Sequence, residues 1–250
     1  MLLTSQIASA LLLVTGLGLQ FVLLVVLFRR GFARLCPWFT ALIGFYAVRA
    51  ALLVAIPAAL SAAHASVTAR ATTGRYISLP LALIDELLQL AVLIGLTRTL
   101  LPRLLARLAL GGMNPRRAAL VVSTAATAFA LLAMFRFGDW PTSVNLTMVL
   151  SNADLLLRVV FIELLMLSLF IAADRVLARA SLAIARGFGI FALVSLVAGQ
   201  MQLATILNRN YPVYVLLAYC KIAAYLATVV YWIVVFARAS ASDRAKAEFS

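Results

Sequence analysis

The sequence predicts an all-α polytopic membrane protein with seven transmembrane helices, the N-terminus outside and the C-terminus cytoplasmic. Three observations lead there. Hydrophobic residues make up 65% of the 250 and the mean hydropathy is +1.09, whereas a soluble domain is about half apolar. The excess falls into runs near the length of about 20 residues that a helix needs to cross a bilayer. Helices are the natural form for such runs, because hydrocarbon offers the backbone no water. The third observation is an unequal sharing of arginine between alternate loops.

The spans are expected at 5–28, 38–60, 77–98, 118–137, 146–171, 187–207 and 212–236. No Lys or Arg precedes the first, and it is long for a signal-peptide core, so it reads as retained. Arg29, Arg30 and Arg34 follow it. The third loop holds Arg98, Arg103, Arg107, Arg116 and Arg117, the fifth Arg175, Arg179 and Arg186, and the tail Arg238, Arg244 and Lys246. That places fourteen basic residues on one side and three, Arg70, Arg75 and Arg209, on the other. The basic side is cytoplasmic. Residues 1–237 then form one seven-helix transmembrane domain and 238–250 a short basic cytoplasmic tail. The net charge of +13 thus speaks of topology and lipid headgroups. The lipid bilayer is the expected partner, and nucleic acid is excluded.

Within the third loop, TRTLLPRLLARLAL (97–110) sets Arg103 and Arg107 one turn apart among leucines. It reads either as a short helix on the inner surface or as an extension of the third span. On the outer side, GDWPTSVN is a tight turn with Trp140 at headgroup level. Asn145-Leu146-Thr147 matches a glycosylation acceptor, a pattern too short to carry weight. Cys36 and Cys220 do not make a disulfide framework. His64 is the sole histidine, so no multi-His metal site or bis-His haem is expected. With no His-plus-acid set, Cys/His pair or phosphate loop, an enzyme is not expected either.

The chemistry concentrates in charges within the spans: Arg49, Asp85, Glu86, Arg136, Asp154, Arg158, Glu163 and Lys221. Lys221 stands out. Of 21 basic residues only two are Lys, and the other is Lys246 in the tail. An ionised group at the bilayer centre costs about 2.5–3.5 kcal/mol on the lenient insertion scale, so these groups must pair, neutralise or line a wet cavity. Counting helical rise, Asp85, Asp154 and Lys221 lie about 12–14 Å below the outer surface, Arg49 about 16 Å, and Gln200 and Gln202 about 8–10 Å. Asp154 and Arg158 are four apart and share a face. Glu163 is nine residues from Asp154 and points the other way. Asp85 shares a face with Gln89. Tyr214, Lys221, Tyr225, Thr228 and Trp232 form one stripe. The expected ligand site is an outward-facing polar cavity lined by Arg49, Asp85, Glu86, Asp154, Arg158, Gln202 and Lys221, with Lys221 meeting Asp85 or Glu86. The same residues read structurally as ion pairs that fix helix register.

Four functions fit this plan: a carrier or binding protein for a small ligand, an accessory subunit with protein partners in a larger membrane complex, a receptor-like sensor, and a retinal-binding protein. Arg75-Tyr76 and PLALIDELL (80–88) resemble the third helix of microbial rhodopsins. That resemblance implies retinal as cofactor, held on Lys221 with a third-helix acid as counter-ion. The sixth span, however, has no Trp, and no Asp precedes Lys221 at the rhodopsin spacing. Spans one to three can be laid over five to seven, SALLLV (9–14) on NADLLLRV (152–159) and GFYAV (44–48) on GIFAL (189–193). This resembles the parallel repeat of SWEET and PQ-loop carriers, although the Pro-Gln pair is absent. GFGIFA (187–192) and AYLATVVYW (224–232) are similar to segments of seven-helix bacterial inner-membrane proteins of unknown function. That likeness implies the fold and a bacterial inner-membrane location. The Ala- and Arg-rich composition fits a GC-rich bacterial genome.

The topology is checked with reporters. A green fluorescent protein fused after Ser250 should fluoresce, and alkaline phosphatase inserted between Gly138 and Asn145 should be active. The opposite pattern would invert the orientation.

Overall fold

A computed structural model describes residues 2–62, 67–110, 146–168, 176–207 and 211–238, and all regular structure among them is helical. The helices are α1 (Leu2–Arg29), α2 (Phe32–Leu35), α3 (Pro37–Ala62), α4 (Val67–Leu110), α5 (Leu146–Ser168), α6 (Val176–Leu207) and α7 (Tyr211–Arg238). The expected fourth span (118–137) with Arg136, the Trp140 turn, Asn145 and the basic tail from 239 onward lie outside the described residues.

Four helices carry stretches long and apolar enough to cross a bilayer: Leu11–Arg29, Ile77–Pro102, Arg179–Gln202 and Tyr211–Arg238. A shorter apolar stretch, Pro37–Leu52, lies in α3. Large apolar side chains face outward as well as filling the core. Phe21, Leu87, Val197 and Leu216 are exposed, while Gln20, Thr40, Ser195, Gln202 and Thr228 are buried. Apolar groups facing out and polar groups facing in suit hydrocarbon surroundings. The chain is a helical membrane protein.

Parts of three loops expected from the sequence are helical instead; α4 already starts at Val67, inside the outer loop expected before Ile77. The stretch 97–110 continues α4 without a break, so it extends the third span rather than lying as a separate surface helix. At 44 residues, α4 is about 66 Å long, roughly twice the hydrocarbon thickness. The fifth loop, expected to end at 186, is already helix from Val176. In the last two cases the Leu/Ala-rich sequence favours helix beyond the hydrophobic boundary. Hydropathy marks where lipid ends, not where helix ends.

Two compact units divide the chain, Met1–Val92 and Leu93–Ser250. In the first, α1 and α3 form a hairpin that turns at Gly31, whose φ of 74° is left-handed and favours glycine. The Gly31 N–H donates to the Phe28 carbonyl (3.2 Å), and the Cys36 N–H donates to Phe32 (2.8 Å). Thr40 then returns its hydroxyl to the Cys36 carbonyl (3.2 Å). The core of the hairpin is Leu23, Leu27, Phe32, Phe39, Leu42 and Ile43, all nearly or fully buried. Burial pushes the Cys36 thiol up to about 12, which keeps it protonated and unreactive near neutral pH.

In the second unit α5, α6 and α7 run antiparallel in sequence, with α6 in the middle. Two glycines set the distances. A Cβ on Gly187 would lie 2.3 Å from Trp232 Nε1, and one on Gly189 2.3 Å from Leu165 Cβ and 2.7 Å from the Phe161 carbonyl oxygen. So α7 meets α6 at Gly187 and α5 meets it at Gly189. Phe161 stacks on Phe188 (ring centroids 4.8 Å), and Phe188 packs at a tilt on Trp232 (4.9 Å). The Trp232 indole donates to the Ala183 carbonyl at 3.0 Å, so its polar atom is satisfied in the core. At the end of α5, Arg186 donates from Nη2 to the Ser168 carbonyl at 3.1 Å.

Gly189→Ala should therefore lower stability by about 1–3 kcal/mol through overpacking, read as a lower thermal midpoint in detergent. Gly95→Ala, with nothing within 4 Å of the added carbon, should be neutral or slightly stabilising.

Candidate functional site

The two units each hold part of the predicted polar set. In the first, α3 supplies Arg49 and α4 supplies Asp85. Arg49 Nη1 bonds Asp85 Oδ2 as an ion pair. Gln89, one turn along α4, donates to Asp85 Oδ1 at 2.9 Å, as their shared face predicts. Both carboxylate oxygens are thus occupied. Within the first unit, Asp85 is held by Arg49 and Gln89. Glu86 is half-buried and also has a partner. This arrangement neutralises charge locally and fixes α3 against α4.

The second unit collects the other four residues. Asp154 and Arg158 pair along α5 as their spacing requires, with Nε at 2.8 Å and Nη2 at 2.7 Å, both on Asp154 Oδ2. Across from α5, Lys221 donates from Nζ to Gln202 Oε1 at 2.6 Å. Gln202 in turn donates from Nε2 to the Tyr214 carbonyl at 3.2 Å. The glutamine is thereby clamped between two points on α7, with its oxygen aimed at the amine. Among the described residues, Lys221 forms no ion pair with an acid. Helix register sets where the Asp154–Arg158 pair lies along α6. Gly189 meets Phe161 and Leu165, so the earlier residues of α5 run alongside the later turns of α6, toward Gly199.

The stripe read from α7 faces α6. Lys221 meets Gln202, Tyr225 packs edge-on against Phe191 (5.7 Å), Thr228 is buried, and Trp232 closes on Ala183. Gln200, expected at the same depth as Gln202, is exposed. Two residues were missed. One is the Tyr214 carbonyl, which no side-chain pattern announces. The other is Gly199, where an added Cβ would stand 3.6 Å from the Lys221 amine. Ser195, Gly199 and Gln202 fall at i, i+4 and i+7, one helical face, and that spacing was legible in the sequence. Glu163 is half-buried on α5 and was not among the predicted site residues. Cys36 and Cys220 are free thiols.

No protein-family model matches the chain, and no curated protein or solved structure matches it significantly.

The Arg49–Asp85 pair yields a direct test. Arg49→Met leaves a carboxylate with one hydrogen bond and no counter-charge, which should cost about 2–4 kcal/mol of stability. Arg49→Met combined with Asp85→Leu should recover most of it, because the stranded charge is then gone. Strict additivity in that cycle, followed by thermal unfolding, would mean the two groups do not interact.

Proposed function

We propose that this chain is a seven-span bacterial inner-membrane protein, N-terminus out and C-terminus in, that binds a small ligand in the outer half of its helices. The binding group is Lys221 with Gln202, Asp154 and Arg158. The observation that carries this reading is the partner of Lys221. An ammonium inside a membrane is costly, and a purely structural lysine is expected to sit on an acid. This one rests on an amide oxygen, and its remaining N–H groups have no partner among the described residues. An intramembrane ionisable group is by default a functional candidate. Arg49 and Asp85 take the structural role, since Asp85 has both its oxygens engaged.

The arginine-rich loops support the orientation through the positive-inside rule. The apolar outward faces of α1, α4, α6 and α7 support the membrane as the surrounding phase. Binding is the common requirement of carrier and sensor, and it is what Lys221 supports.

Native mass spectrometry of the protein released gently from the membrane tests the reading. The expected spectrum is the 26.9 kDa chain with an added small-molecule mass that Lys221→Met removes. A stable larger assembly with no small molecule would favour an accessory subunit instead. A covalent adduct of retinal mass on Lys221, in cells supplied with retinal, would replace a dissociable ligand by a cofactor.

A further inference from the structure

The elbow between α1 and α3 concentrates positive charge. Arg29, Arg30 and Arg34 fall within six residues, and the chain contains no Asp or Glu before Asp85. Asp85 is bound to Arg49, which lies twelve residues beyond Pro37 and so about 18 Å along α3 from the elbow. Backbone bonds hold the three arginines on consecutive turns. The Arg30 N–H donates to the Val26 carbonyl (2.9 Å), Gly31 to Phe28 (3.2 Å) and Arg34 to Gly31 (3.3 Å). Burial then sorts the side chains. Phe32 and Phe39 turn inward, Arg30 is half-buried, and Phe28, Arg29, Arg34 and Trp38 are exposed. The exposed apolar face continues from Phe28 along α1 through Phe21 and Val14, at steps of seven that stay on one side of a helix. From Phe28 to Val14 it measures about 21 Å, more than the roughly 15 Å of hydrocarbon in one leaflet.

We infer that Arg29 and Arg34, with Phe28 and Trp38, form a binding site for an anionic phospholipid. The headgroup phosphate accepts from the two guanidinium groups, whose planar fork matches phosphate oxygens. Trp38 takes the headgroup boundary that its ring prefers, and an acyl chain lies along α1 against Phe28 and Phe21. One hairpin thus carries a cationic end and an apolar face in the order in which a phospholipid presents its parts. A soluble anion would use the arginines and leave the apolar face without a role, so the occupant is a lipid. The site is separate from the Lys221 reading and requires only that the hairpin lie in a bilayer.

The test titrates the detergent-solubilised protein with phosphatidylglycerol, with phosphatidylcholine of the same chains, and with glycerol 3-phosphate, counting bound molecules by native mass spectrometry. Phosphatidylglycerol should bind about tenfold tighter than phosphatidylcholine or more. Arg29→Gln with Arg34→Gln should remove most of that preference, at about fivefold per arginine. Arg98→Gln with Arg238→Gln removes the same charge from two other exposed arginines, on α4 and α7, and should leave the preference intact. Equal loss in both double variants would reduce the effect to net charge and overturn the site. Equal affinity for the two lipids, or a preference that Arg29→Gln with Arg34→Gln does not change, would overturn it as well. Glycerol 3-phosphate binding as tightly as phosphatidylglycerol would make a soluble phosphate the occupant and overturn the lipid. A second measurement needs no variant. Phosphatidylglycerol carrying a photoreactive diazirine near its headgroup should label the wild-type chain between Phe28 and Trp38, and labelling confined to other segments would overturn the inference.

Discussion

Hydrocarbon solvates neither charge nor backbone, and each polar choice in this chain answers to that constraint. Among the described residues, three of the cations expected within spans meet it in three ways. Arg49 is matched across two helices by Asp85, whose second oxygen Gln89 occupies. Arg158 is matched within one helix by Asp154, one turn away. Among the described residues, Lys221 is matched by the amide oxygen of Gln202. The first two arrangements cancel charge where it stands. The third satisfies a hydrogen bond and leaves the charge. That asymmetry separates a register device from a candidate site, and neither burial nor hydropathy expresses it.

Packing answers to the same medium. Lipid chains are as apolar as leucine, so helix association in a membrane depends on close contact rather than on escape from water. In the second unit that contact is concentrated on α6. Gly187 admits the Trp232 ring, Gly189 admits the Leu165 side chain, and Phe161, Phe188 and Trp232 lock the three helices together. Farther along the same helix, Ser195, Gly199 and Gln202 replace the tight apolar contacts with small and polar ones. An aromatic region is thus followed along α6 by a polar region, where Gln202 holds the Lys221 amine. A binding group benefits from support of this kind, because its orientation is settled before any ligand arrives.

The identity of the cation also matters. A guanidinium is planar and suits two-point recognition of a carboxylate, and Arg49 and Arg158 both sit on an aspartate. An ammonium is compact and points its hydrogens in three directions. In a chain that otherwise uses arginine within its spans, a lysine beside Gln202 leaves room and donors that an arginine would fill or spend. The preference for Lys at position 221 is thus a physical choice, whatever ligand it meets.

The sequence by itself determined the phase and the local geometry. Runs of apolar residues require helices in a bilayer, and spacing alone paired Asp154 with Arg158, set Gln89 beside Asp85 and lined up Lys221, Tyr225, Thr228 and Trp232, because helix periodicity is a property of neighbouring residues. Helix ends were less legible. Hydropathy falls where lipid stops, while Leu/Ala-rich helix runs on, as α4 does to Leu110 and as α6 does from Val176. Partners between helices were decided only by the tertiary structure. Depth estimates placed Gln200 and Gln202 together, but depth is one coordinate of three. Rotation about each helix axis gave Asp85 to Arg49, turned Gln202 inward and Gln200 outward, and left Lys221 facing an amide. In the second unit the rotations are set by where Gly187 and Gly189 let helices touch, a fact about pairs of helices that no single stretch of sequence contains.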